Sequence, residues 1–215
     1  QPEALAYLEG RGIYDKGLLR DLRVGYCDGE KLLAISNAQE RRLLQRVGIL
    51  NEGGKELFAR CVVFALRDRH NRVTGFYGRS VSHNAKVQHR CAGSGSFCPQ
   101  ALQGASSVIL AEGVLDALAI IQAGFSNVVA LGGAQGFSAS LLEQLHQASV
   151  QEVALCLDGD EAGEQATQAL KERLLAEKFA VRCISLPTGL DPLSVKTELL
   201  RELLAGPMDN AKRSY

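Results

Sequence analysis

Residues 150–163, VQEVALCLDGDEAG, place the strongest constraint on what this chain can fold into. Residues 153–157 are a short apolar run that leads straight into Asp158-Gly159-Asp160, and Glu161-Ala162-Gly163 then opens a series of small residues at helical spacing. A brief apolar run, a turn and then a helix is how a parallel strand of an α/β sheet reads. Ligands of such sheets bind beyond the carboxyl ends of the strands, where both aspartates fall. Two carboxylates on one tight turn can aim at a single hard cation such as Mg²⁺, which takes one or two carboxylates together with phosphates and water. The same residues also read as a cap for the following helix, because aspartate is common at N-caps. Both readings stand on this stretch alone.

The downstream half repeats the pattern. Strand-like runs at 108–111, 127–131, 153–157 and 180–186 alternate with helical patterns at 114–123, 138–148 and 162–177. Such alternation implies βαβ units, a parallel sheet and right-handed crossovers that bring the strand ends to one edge. Upstream, residues 1–12 and 38–47 read as helices, 22–26 as a short extended piece, and 61–66 with 72–77 as a hairpin across His70-Asn71. Residues 80–104 are polar and read as a loop between modules. The expected organisation is an N-terminal α+β subdomain over 1–104, a mainly parallel α/β domain over 105–205, and a flexible tail over 206–215.

That geometry gathers acids. Glu112 closes the first strand of the second half, and Asp116 lies one helical turn later on the same side. Asp158 and Asp160 close the third strand, and Asp191 follows the last in LPTGLDP. Carboxylates converging from three strand ends repel one another unless cations neutralise them, which favours a metal site over simple capping.

Net charge is zero, but unevenly distributed. Residues 1–107 carry 16 Lys+Arg against 10 Asp+Glu, and residues 108–215 carry 8 against 14. A basic module facing a polyanion beside an acidic, metal-collecting one accounts for the asymmetry, as does a set of arginines that merely solvates one sheet face. The six cysteines show no CxxC pair, which suits a reducing cytosol better than a disulfide scaffold. No apolar run is long enough to span a membrane. Beginning on Gln1, the chain reads as a segment of something longer. His83, His89, Cys91 and Cys98 are spaced too irregularly for a familiar zinc motif. The glycines of LGGAQGF (131–137) could approach phosphates but lack the dinucleotide-binding pattern.

Several motifs together resemble a known family. VILAEGVLDALAII resembles the first TOPRIM motif, a glutamate ending a strand and then an aspartate on a helix. LCLDGDEAGEQA is similar to the second, the DGDxAG form of bacterial DnaG-type primases, and LPTGLDPLSV is similar to that family's closing segment. Upstream, ALAYLEGRGI, LRVGYCD and LFARCVVFALRDRHNRVTGFYGRSV resemble its N-terminal blocks in the same order. The resemblance implies a TOPRIM fold, Rossmann-like with helices flanking a mainly parallel sheet, inside a primase catalytic core.

It further implies DNA-templated RNA primer synthesis by nucleotidyl transfer during replication, with Mg²⁺ as cofactor and Mn²⁺ able to substitute. Asp158 and Asp160 would be metal ligands, Glu112 a ligand or the group that helps the 3′-hydroxyl lose its proton, and Asp116 and Asp191 would complete the cluster. Arg67, Arg79 and Lys86 are the candidates for template or triphosphate contacts, since a grip on phosphate needs fixed cations. Implied partners are single-stranded DNA, ribonucleoside triphosphates and a replicative helicase reached through a region outside this chain, in the cytoplasm of a bacterium or the setting of a phage or mobile element. The chain departs from the family in places. Cys61 replaces an arginine (with Arg60 one place early), Ala65 a proline and Leu193 the second acid of DPD, and of the basic stretch after the GFYGR block only Lys86-Val87 remains. A TOPRIM nuclease and a non-catalytic nucleic-acid-binding relative are the alternatives.

Overall fold

In the computed structural model, which describes residues 1–82, 84–132 and 136–206, strands run antiparallel in one sheet and parallel in the other. The sheets belong to two compact units, Gln1–Phe97 and Cys98–Tyr215. His83, residues 133–135 of the LGGAQGF stretch and 207–215 of the expected tail lie outside the described residues.

Two of the first unit's helices begin where a capping side chain accepts from an exposed amide of the first turn. Helix α1 (Pro2–Gly10) starts on a proline. The Asp15 carboxylate accepts from Leu18 N ahead of α2 (Lys16–Asp21). After α3 (Lys31–Ile35), helix α4 (Ala38–Arg46) opens with a reciprocal capping box between Asn37 and Glu40. Strands β1 (Gly25–Cys27), β2 (Cys61–Arg67), β3 (Val73–Ser80) and β4 (His89–Gly93) form an antiparallel sheet in that order. On one face Phe64 is fully buried between the rings of Tyr77 and Phe97. On the other, Cys61 and Ala92 pack with Phe58 and Phe76. The loop expected over 80–104 is therefore wrong in part. It contains β4, whose HRCAG sequence shows no apolar alternation and is held by pairing with β3, and a short 3-10 turn at Pro99–Leu102.

The second unit is built as the alternation predicts. Strands β5 (Ser107–Ala111), β6 (Val128–Ala130), β7 (Glu152–Cys156) and β8 (Ala180–Cys183) lie in the order β6-β5-β7-β8, every pair parallel. Val108, Leu110, Val129, Val153 and Leu155 point to one face and join Leu141, Leu145, Leu170 and Leu174 in a single core. The last four residues come from α6 (Ala139–Gln147) and α7 (Glu161–Ala176). The alternate residues Ile109, Ala111, Ala154 and Cys156 are buried too, so both faces of the sheet are covered. Helix α5 (Val114–Gln122) is buried from Val114 through Ile120. Helix α8 (Thr197–Ala205), which no earlier expectation included, is tied down by arginines. Arg182 donates to the carbonyls of Leu203 and Leu204 at 3.3 and 2.9 Å, and Arg201 to that of Ala123 at 2.8 Å.

The strand order fixes where a ligand can go. From β5 the chain steps outward to β6 and then returns past β5 to β7 on the other side. The carboxyl ends of β5 and β7 therefore flank a topological switch point, with Ala111 paired in register with Cys156. Glu112 follows one of those ends by one residue, and Asp158 the other by two.

Candidate active site at the carboxyl edge of the parallel sheet

The DGD turn is shaped by contacts a side chain would destroy. Gly159 is buried, its N–H donates to Leu190 O at 2.9 Å and its carbonyl accepts from Gly189 N at 2.7 Å. A Cβ on Gly159 would sit 2.6 Å from Pro187 O, and one on Gly163 only 2.1 Å from Asp158 O. Both positions therefore exclude any side chain, and they hold the first turn of α7 tightly against the end of β7.

The acids divide by what they already do. Asp160 is the N-cap of α7 and accepts from Gly163 N at 2.7 Å. Asp116 is buried and reaches back to accept from Gly113 N at 2.9 Å, covering an amide at the start of α5. Asp191 Oδ1 accepts from Ser194 N and Ser194 Oγ at 2.7 and 2.6 Å. The capping reading is thus realised at three of the five acids. Asp158 differs from these three, because its Oδ1 is fully buried and has no hydrogen-bond partner.

A buried carboxylate oxygen without a partner is costly while charged. Burial, followed by the negative charges of Asp116, Glu112, Asp191 and Asp160, pushes the Asp158 carboxyl up to about 7. That coupling reports that all five acids predicted from the sequence share one field. They are not drawn onto one point, however. Among the described residues no three His, Cys, Asp or Glu side chains stand close enough to ligate a single ion as placed. The two observations measure different things, charge at a distance and ligand spacing. The buried, unpartnered Asp158 oxygen is what fits a hard cation, which can take one or two carboxylates with phosphates and water completing its shell. Beside the acids, the Cys156 thiol is pushed up to about 12, chiefly by burial, and so stays protonated and inert.

The basic candidates lie in the first unit. Arg67 ends β2 at a register shift and donates to Asn71 O at 2.9 Å. Arg79, in the middle of the sheet, donates to Tyr7 Oη at 3.0 Å and to the His89 ring. Burial and that guanidinium hold His89 below its usual range, so its ring is neutral and Nε2 accepts. His89 Nδ1 lies 2.7 Å from the Tyr77 hydroxyl. Lys86 is exposed on the turn before β4. Arg60, the displaced arginine, is paired with Glu3 at 2.8 Å, and the Cys61 sulfur accepts from Arg90 at 3.1 Å. The features that sequence reasoning missed are the 186–190 loop and Ser194. The glycine of TGLDP and the serine three places beyond Asp191 were the available signals.

The parallel sheet of this order, with acids at the ends of β5 and β7, falls largely within residues 109–195, which match a family described as Toprim-like. Nearly the whole chain is, in addition, similar to bacterial DNA primases. It is 29% identical to the DNA primase of Deinococcus radiodurans over 97% of this chain, and spans 40% of that relative's length. A DNA primase domain from Pseudomonas aeruginosa superposes with a TM-score of 0.78 at 25% identity, over 94% of this chain and 70% of the other. A DnaG primase catalytic domain solved bound to single-stranded DNA gives 0.73 at 26%, over 93% and 69%. The resemblance to a DnaG-type catalytic core with a TOPRIM domain is borne out. No helix among the described residues is long and apolar enough to cross a membrane.

Proposed function

We propose that this chain is the polymerase core of a primase, joining ribonucleotides on a single-stranded DNA template during replication, within the cytoplasm of a bacterial cell. The observation that carries the reading is the buried, unpartnered Asp158 oxygen at the switch point, surrounded by four further carboxylates. Among the described residues that oxygen meets no hydrogen-bond donor, and a divalent cation would neutralise its charge. Asp158 and Asp160 are the residues that would hold Mg²⁺ or Mn²⁺, with Glu112 opposite them and Asp116 and Asp191 orienting the cluster. Such cations supply Lewis-acid stabilisation of the attacking 3′-hydroxyl and the departing pyrophosphate. Glu112, on the neighbouring strand end, would be a further ligand or the group that accepts the proton of that hydroxyl. The 1–104 region would face the template, with Arg67, Arg79 and Lys86 contacting phosphates of the DNA or of an incoming ribonucleoside triphosphate. A replicative helicase would be met through sequence outside this chain.

The test is a primer-synthesis assay with labelled ribonucleotides on single-stranded DNA in Mg²⁺ or Mn²⁺. Wild-type protein should extend product. Asp158→Asn should make none while retaining its affinity for DNA, because it removes charge and keeps shape. Synthesis by the Asn variant at a near wild-type rate would overturn the assignment. Degradation of the template would point to a nuclease, and DNA binding with no product in either metal to a binding module.

A further inference from the structure

Asp158 is held in place by its backbone, since its buried oxygen has no hydrogen bond to fix it. That backbone is gripped from one direction. The turn 187–190 takes both polar groups of Gly159, accepting its N–H through Leu190 O and donating to its carbonyl from Gly189 N. The turn is closed by Leu190 N donating to Pro187 O at 3.0 Å. Gly189, its third residue, has φ +76°, as a type II turn requires at that position. One residue beyond the turn comes Asp191, anchored on its other side by Ser194.

We infer that the turn 187–190 is a positioning strap for the acidic cluster, and that Gly189 is the residue that sets it. The strap fixes the height of Asp158 against β7 and delivers Asp191 to the same edge, so two acids from distant parts of the sequence keep one spacing. This rests on the reading of the carboxylates as cation ligands. The strap is separable from packing: a Cβ at position 189 would meet nothing within 4 Å. A methyl there disturbs the turn through its backbone dihedral alone.

The experiment follows thermal unfolding of the 215-residue chain in EDTA and across a Mn²⁺ titration. Gly189→Ala should raise the apparent Mn²⁺ dissociation constant roughly tenfold, the usual scale for losing a residue that orients metal ligands. Gly189→Asn should recover most of the affinity, because asparagine tolerates the left-handed region. Gly104→Ala is the control. Gly104 has φ +71° and equally open surroundings, but precedes β5 at the amino end of the sheet, so its variant should melt earlier and bind Mn²⁺ as wild type does. Gly189→Ala binding Mn²⁺ like wild type would overturn the strap and leave the carboxylate reading intact. Equal weakening in Gly104→Ala would also overturn it, by showing a general effect of backbone strain. Wild-type protein whose melting ignores Mn²⁺ would overturn the carboxylate reading and the strap with it.

Discussion

Asp158→Asn should make the metal-free protein more stable, although it destroys the proposed site. An unfolded aspartate ionises near 3.8, and the folded Asp158 near 7. At ~1.36 kcal/mol per pH unit the difference corresponds to about 4 kcal/mol. The sign follows from proton binding. Between these values the folded state holds a proton that the unfolded state has lost, so stability falls as pH rises from about 4 to about 7 and is then level. Below both values the carboxyl is neutral in each state and the penalty vanishes. Asparagine carries no such penalty at any pH. Urea unfolding in EDTA should therefore show the variant more stable than wild type by about 2–4 kcal/mol at pH 8 and by under ~1 kcal/mol at pH 4. Millimolar Mn²⁺ should reverse the order at pH 8, since only wild type gains from binding. A variant no more stable than wild type at pH 8, or a gain that does not change with pH, would refute the account of a charge buried at a cost.

Asp160→Ala should move stability the other way, losing about 1 kcal/mol in EDTA with the N-cap of α7, while Asp160→Asn, a competent cap, should lose little; chemical denaturation distinguishes them. Gly163→Ala should cost more than ~2 kcal/mol, because its methyl would lie 2.1 Å from Asp158 O; a melting curve like wild type's would show that the turn can shift. Charge reversal at Arg67 and Arg79 together should weaken single-stranded DNA binding and flatten its dependence on salt, since fewer phosphate counterions would be released. Fluorescence anisotropy across a salt series checks this, and an unchanged affinity and slope would remove these residues from the template path.

The second unit was far more legible in the sequence than the first, for a physical reason. Strands β5, β6 and β7 are buried on both faces and must be apolar throughout, so runs such as Val153–Leu157 stand out between helices. Strand β4 borrows its structure from β3, and nothing in His89–Gly93 announces it. Short α2 and α3 have too few turns for a period to show. The leucines of α8 at 199, 200, 203 and 204 carry a helical period, but the helix follows the last strand, outside the alternation that marks the rest of the unit. Within the site, the strand order turned a list of acids into neighbours, because Glu112 and Asp158 meet only if β5 and β7 pair. Which acid is already committed to a backbone amide depends on contacts within a few residues that a one-dimensional pattern does not carry. The 187–190 turn was visible as a glycine before an aspartate, but its attachment to Gly159 joins positions some thirty apart.

The capping contacts of Asp116, Asp160 and Asp191 also bear on how acidic motifs persist in lineages. A relative that had lost its chemistry would still need these three side chains to start α5, start α7 and close the turn at 191–194, so folding alone would keep most of the signature in place. Asp158 has no such second employment, and in the absence of a cation its charge is a burden. Once catalysis lapsed, it would be the first of the five to drift to asparagine or serine. An aspartate kept at this position would therefore speak for continuing use in a way that the three capping acids do not.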